Sequence, residues 1–355
     1  MRACASDCAL TRSRRSIHTP RRADFATAVL LTGVGKRHDI VSAFARHAFT
    51  IAADPSPLAP AQYAAHARVA PPRIEDPGYV GFLEVLVAEH GVGAVVPLTD
   101  LDIHVLAAAP GLPAFVAPAA ICEAMFDKYR THETLTELGL PSPPTVLPGV
   151  EPEGYPVIVK PRRGSGARSI HLAKDAAQAA FFVDYVEEPV MVQRAMGGRE
   201  FSIDVLSDLD GRCLNAIPRS MLESRGGESI KGQVLDDPEL VDLGRRVTEA
   251  LGFRGPSTVQ AFRDPGIGIA ITDVNPRFGG AFPAPMYAAL PGRTYPELIA
   301  RMAAGERVEP HVGEFRSGHY FTRFYEQLEL DAERRPTGRP MLASTDVRLQ
   351  SRAVG

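Results

Sequence analysis

Three polar residues at alternate positions set the chemical question: Asp273, Asn275 and Arg277 occupy i, i+2 and i+4 in the run ITDVNPRFGG. In a β-strand alternate side chains leave the same face, so an acid, an amide and a guanidinium share one side of an otherwise apolar segment. Burying such a face requires partners. A strand-like run from Ser257 to Phe262 precedes it across a turn containing Asp264, Pro265 and Gly266, and antiparallel pairing over that turn puts Gln260 opposite or diagonal to Asp273. Gln260, Asp273 and Asn275 then form a set of oxygen donors without His or Cys. Magnesium selects such donors and completes its shell with water and substrate phosphates. Arg277, permanently charged and able to bond bidentately, suits a transferring phosphoryl group or an acyl phosphate. The spacing equally admits a buried ion pair between Asp273 and Arg277, with Asn275 capping a loop.

A second basic element bears on that choice. Pro156 to Lys160 reads as a buried strand ending in a charge, followed by Pro161 to Ser169 and a further strand at Ile170 to Leu172. Such a hairpin has a basic, glycine-bearing tip. Gly164 and Gly166 allow backbone N–H groups to approach phosphates, Ser165 and Ser169 add hydroxyls, and Lys160 supplies an ammonium. Arg162, Arg163 and Arg168 read either as solvated charges or as anion contacts.

These elements sit in a chain of alternating helices and strands. Ala28 to Thr32, the helical spacing of Ile40, Val41, Phe44 and Ala45, the run Phe49 to Ala53, and the compact strand Gly93 to Leu98 predict a small doubly wound α/β lobe over residues 24–118. Gly33, Gly35 and Asp54 suggest a dinucleotide turn. The third glycine of that fingerprint is missing, with Lys36, Arg37, His38 and Asp39 in its place, and GxxxxGK[ST] is absent as well. Helices are expected at Asp127 to Leu138, Ala176 to Val186 and Asp237 to Leu251, with strands at Val190 to Gln193 and Glu200 to Leu206.

Composition excludes other classes. With 45% hydrophobic and 23% charged residues the chain is globular in type, and a net charge of −3 calls for neither nucleic acid nor an anionic membrane. Four cysteines without CxxC spacing fit a reducing, cytoplasmic setting, and no apolar run is long enough to span a bilayer. The histidines are scattered, and no Ser/His/Asp or Cys/His set is legible. Residues 1–23 read as a disordered basic tail, or as the product of a start assigned too far upstream, and 331–355 as a loosely packed C-terminal tail.

The order of the motifs carries a resemblance. Asp127 and Lys128 with GLPSPP, then VIVKPRRGSGARSI, VMVQRAMGGREFSIDV, STVQAF and ITDVNPRFGG look like the ATP-grasp superfamily over about residues 24–330. Within it the chain is most similar to the branch of carbamoyl phosphate synthetase halves and stand-alone carboxylate-amine ligases. The resemblance implies α/β and α+β architecture: a Rossmann-like pre-ATP-grasp lobe, then a two-lobed ATP-grasp domain over 119–330 with a lid lobe at about 126–195. It implies a ligase that activates a carboxylate as an acyl phosphate with ATP and magnesium, or manganese as the alternative ion, and couples it to an amine. A small-molecule carboxylate and amine, amino acids among them, are the expected partners, with a homodimer as the default assembly.

By resemblance Lys128 and Lys160 contact nucleotide phosphates and the Gly164 to Ser169 loop folds over them. Gln193, Arg194 and Met196 line the adenine hinge, and Glu200 holds the ribose hydroxyls. Gln260, Asp273 and Asn275 hold the metal, Arg277 meets the phosphoryl or acyl phosphate oxygens, and Arg219 and Lys231, in the segment facing the acceptor side, contact phosphate or the substrate carboxylate. Two departures stand out: Asp273 where many members carry glutamate, and Gln193 where an acid often precedes the hinge. Two other readings follow from the same motifs: phosphorylation of carbamate or bicarbonate, and a regulatory protein that binds ATP without turnover.

Overall fold

A computed structural model describes residues 21–164, 169–225, 228–279, 284–324 and 326–340. Its first lobe is built from β1 (Ala28–Thr32), α1 (His38–Phe44), β2 (Phe49–Ala53), β3 (Ala67–Val69), α2 (Tyr79–His90), β4 (Val92–Pro97) and α3 (Ile103–Ala107). The strands form a parallel sheet in the order β3-β2-β1-β4. The apolar runs of β1 and β4 are buried on both faces, as parallel strands covered by helices must be. One face packs on α2 and α3 through Leu83, Leu86 and Leu106.

Two helices, α4 (Ala119–Phe126) and α5 (Lys128–Glu137), lead into a small antiparallel sheet: β5 (Thr145–Val146), β6 (Val157–Pro161), β7 (His171–Ala173) and, after α6 (Ala176–Tyr185), β8 (Val190–Arg194). The expected hairpin is present as β6 and β7. Residues 165–168 of its tip, which include the predicted Ser165 and Gly166, lie outside the described residues.

The third sheet carries the polar motif. It comprises β9 (Arg199–Ser207), β10 (Cys213–Arg225), β11 (Glu228–Val234), β12 (Gly255–Asp264) and β13 (Gly268–Asn275), with α7 (Pro238–Ala250) between β11 and β12. Alternation divides its two faces. Phe201, Ile203, Val205, Val259, Ala261 and Val274 point into a core closed by Leu240, Leu243 and Val247 of α7 and by α4; burying each of the Phe, Ile, Leu and Val side chains contributes about 1.5–3 kcal/mol. The opposite face bears the polar residues.

After β13 come α8 (Ala284–Tyr287), α9 (Tyr295–Ala303) and β14 (Tyr320–Thr322), the last pairing with β11 at the edge of that sheet. Helix α9 returns to the first lobe, where Tyr295, Leu298 and Ile299 pack with Val29, Leu31 and Phe44. Among the described residues no helix is long and apolar enough to cross a membrane.

The contact between α9 and β4 leaves no room for a side chain at Gly93, where an added Cβ would lie 2.0 Å from the Ala303 carbonyl oxygen. Gly93→Ala is therefore expected to lower unfolding stability by roughly 1–3 kcal/mol through overpacking. Urea unfolding checks it, and an unshifted midpoint would contradict the packing.

Candidate active site

The site begins with the register of β12 and β13. Gln260 pairs with Asp273 and Thr258 with Asn275, so all four side chains share the sheet's polar face. Strand β9 adds Ser202 and Asp204 beside Gln260 and Thr258, and β10 adds Arg219 beside Ser202.

Opposite this face stand two lysines from different elements. Lys128 opens α5, whose N-cap Asp127 accepts from the Tyr129 and Arg130 amides. Asp127 also receives Arg162 bidentately, at 3.1 and 2.7 Å. That pair ties the end of β6 to the start of α5, and the Lys128 amide donates to the Arg162 carbonyl. Arg162 therefore serves to position the loop. Lys128 Nζ donates to the Gly164 carbonyl at 2.8 Å and lies 3.9 Å from Asp273 Oδ1.

Lys160, at the end of β6, is buried and donates from Nζ to Gln193 Oε1 at 3.0 Å. Burial brings its pKa down to about 8; Asp273 and Glu200 oppose that fall and Lys128 adds to it. Asp273 responds in the other sense. Burial disfavours its carboxylate, yet Lys128, Lys160, the Asn275 amide and Arg277 together hold the pKa below the ordinary value. Glu200 is raised by its own burial, in spite of Arg219 and Lys160.

The residues expected to line an adenine hinge are braced by β8 and the turn after it. Gln193 is buried, and its Nε2 donates to Thr145 Oγ1 at 3.0 Å while its Oε1 receives Lys160. In this arrangement both ends of the amide fix the lysine. Arg194 lies 3.8 Å from Asp264 Oδ1, and the Gly197 amide donates to Asp264 Oδ2 at 2.7 Å, so Asp264 holds the segment that carries Met196. Glu200 follows at the start of β9.

Arg277 does not pair with Asp273 as the simple ion-pair alternative would have it. Its Nε and Nη2 donate to the two oxygens of Asp100 at 2.6 and 2.8 Å, its Nη2 also to Asn275 Oδ1, and its Nη1 to the Phe278 carbonyl. Asn275 Nδ2 in turn donates to Asp273 Oδ2 at 3.0 Å. Arg219 is buried with Asp204, Nε to Oδ2 at 2.7 Å, and Thr258 Oγ1 donates to the other Asp204 oxygen. Lys231 stands apart, exposed on β11 and paired with Glu223. Ser169 is exposed just after the tip, with a φ of +53°.

Sequence reasoning passed over Asp100, Asp204 and Thr145. Asp204 had a readable signal, since Glu200, Ser202 and Asp204 alternate along one strand. Asp100 had none, being 177 residues from Arg277.

Residues 125–281 match the ATP-grasp domain family and residues 29–111 the PylC-like N-terminal domain. The chain carries an ATP-grasp domain behind a PylC-like N-terminal domain. It is 33% identical over 186 residues to a D-alanine–D-alanine ligase of Kineococcus radiotolerans, a match covering 44% of this chain and 49% of the relative. It is also 27% identical over 208 residues to the carbamoyl phosphate synthase large chain of Thermomicrobium roseum, covering 52% and 19%. The chain thus spans about half the length of the ligases it matches. In fold it resembles an L-amino acid ligase from Bacillus licheniformis, with TM-score 0.65, 18% identity and coverage of 83% and 78%. The biotin carboxylase domain of Hydrogenobacter thermophilus 2-oxoglutarate carboxylase, solved with MgADP and bicarbonate, gives TM-score 0.65 and 18% identity, covering 83% and 73%.

For this ATP-grasp protein the electrostatics make a test that needs no ligand. Lys160 is expected to titrate at about pH 8 in lysine-labelled NMR spectra. Asp273→Asn is expected to lower that pKa further, because the carboxylate favours the ammonium. A Lys160 resonance titrating in the ordinary lysine range would refute the buried geometry.

Proposed function

We propose that this ATP-grasp protein is an ATP- and magnesium-dependent ligase that activates a carboxylate as an acyl phosphate and passes the acyl group to an amine, releasing ADP and phosphate. One observation carries the reading: Asp273 is kept ionised on a half-buried sheet face directly opposite Lys128 and Lys160. Two ammonium groups and a carboxylate gathered beside a glycine-bearing hairpin suit a metal-bound triphosphate.

Lys128 and Lys160 bind the phosphates, with Gly164 and Ser169 at the two ends of the loop expected over them. Gln193 orients Lys160. Arg194, Met196 and Glu200 take the nucleoside. The donor set fits magnesium: Asp273 supplies the charge, Gln260 and Asn275 the amide oxygens, and among the described residues no cluster of His, Cys, Asp and Glu competes for a softer ion. When bound, the ion screens the charge between the β- and γ-phosphates. A carboxylate oxygen attacks the γ-phosphorus, the bond to the bridging oxygen breaks, and ADP leaves. The amine nitrogen then attacks the acyl carbon, phosphate departs, and the nitrogen's proton leaves with it. Arg277 stabilises the phosphoryl oxygens, and the site needs no strong general base. Arg219, paired with Asp204, is the acceptor-side charge for phosphate or the substrate carboxylate, while Lys231, exposed and paired with Glu223, stands apart from it.

The curated relatives are ligases and synthases by name, and the similar solved structures include an amino acid ligase. Those names support amino acids as the substrates to try first; a cytoplasmic homodimer is part of the proposal and rests on none of them.

The test is phosphate release with MgATP and paired pools of carboxylates and amines, including amino acids. Turnover dependent on both pools is expected, and MgATP binding with no ADP formed across a broad panel would favour a silent binder. Asp273→Ala is expected to cut the rate at least 10²–10³-fold while the fold survives, and Arg277→Lys to be severely impaired because ammonium cannot replace the bidentate fork. The phosphates require the Lys160 ammonium, so MgATP affinity is expected to hold below about pH 8 and to fall as pH rises through that value. Isothermal titration across pH checks the sign, and affinity that improves above pH 8 would remove Lys160 from the phosphate site.

A further inference from the structure

The guanidinium assigned to the phosphoryl group is occupied. Arg277 has five N–H donors, and the bonds to Asp100, Asn275 and Phe278 engage four of them. Its bidentate edge, Nε with Nη2, is given wholly to the Asp100 carboxylate. That edge is the geometry an arginine offers to a carboxylate or a phosphoryl group. Arg277 therefore cannot grip a substrate oxyanion through this edge while Asp100 holds it.

Asp100 also sits where a ligand is expected. It lies three residues after β4, in the crevice beyond the carboxyl ends of the parallel strands, where open α/β sheets bind their ligands. Its loop is held in place: Thr99 packs against the β1 turn so closely that a Cβ on Gly33 would lie 2.4 Å from Thr99 Cγ2. From the same lobe, Arg37 donates to the Gly279 carbonyl at 3.0 Å, so the first lobe grips the Arg277 segment at two points. Both partners of the pair remain partly exposed, 11% for Arg277 and 24% for Asp100, so an incoming anion can reach them.

We propose that Asp100 is a positioning residue that holds Arg277 in reserve, its carboxylate standing where the substrate carboxylate is received. The inference rests on the ligase reading above. Arrival of a carboxylate displaces Asp100 and turns the guanidinium to that carboxylate and to the γ-phosphoryl group it attacks; without one, Arg277 stays paired and water attack on ATP is not assisted.

The experiment uses the full chain, MgATP and no added carboxylate or amine. ADP formation is followed for the wild type, Asp100→Asn, Asp100→Glu, Arg277→Lys and the Asp100→Asn/Arg277→Lys double variant, with MgATP affinity measured by titration in each. Asp100→Asn is expected to raise ADP formation about tenfold, a fraction of what one preorganised charge donor supplies. Asp100→Glu, which keeps the charge, is expected to stay at the wild-type rate, and the double variant to lose the gain. An Asp100→Asn rate at or below wild type with MgATP affinity intact overturns the proposal. So does a general loss of stability and hydrolysis in both Asp100 variants, since a merely structural pair would behave that way. Failure of the wild type itself to bind MgATP would instead sink the ligase reading, a distinct outcome.

Discussion

Two lysine ammoniums and an aspartate are forced together on a half-buried surface, and most of the site's geometry follows from keeping that group solvent-poor yet neutralised. Lys160 loses hydration at the end of β6, and its affinity for a proton falls accordingly. Asp273 makes the charge tolerable, and in return the lysines pull its pKa down against the rise that burial alone would cause. Neither residue fits the site alone. A buried charge left without its partner is costly to the fold, which is why three separate elements, α5, β6 and β13, must close on one point.

The supports around that group extend outward in order of burial. Gln193 occupies a position where an acid often precedes the hinge, and the difference has a local rationale. A neutral amide can accept from Lys160 with its oxygen while donating to Thr145 with its nitrogen. An acid there would pull the lysine into a tight ion pair and raise its pKa. The amide holds the ammonium in place and leaves most of its charge for an anion. Asp127 plays the same part for Lys128, since one carboxylate caps α5 and anchors Arg162.

The chain's local patterns made this much legible. The alternation of Asp273, Asn275 and Arg277 fixed their common face, and the turn at Asp264 to Gly266 put Gln260 opposite Asp273, as the register has it. The βα alternation marked the first lobe, and the hairpin after Lys160 was plain from its glycines. What stayed hidden depends on contacts between distant segments. Strand β10 contains Pro218 in mid-strand, paired with Ile203 of β9, and a proline ordinarily argues against a central strand. Helix α9 reads as amphipathic, but nothing in its residues says that its apolar side seals the sheet of the first lobe. Spacing left Arg277 between an ion pair with Asp273 and an anion site. The partner it takes in this structure, Asp100, comes from another lobe.

That partner changes how the lobes relate. If Arg277 served only the phosphoryl group, the first lobe would contribute surface and little else to the reaction. Because Asp100 and Arg37 reach across to the segment following β13, the lobe contacts the same strand end that carries Asp273 and Asn275. A ligand that displaces Asp100 acts on Arg277 directly, on Asn275 through its bond to that guanidinium, and on Asp273 through the Asn275 amide. Four polar side chains in sequence thus run by direct hydrogen bonds from the crevice of the parallel sheet to Asp273, whose Oδ1 lies 3.9 Å from Lys128 Nζ.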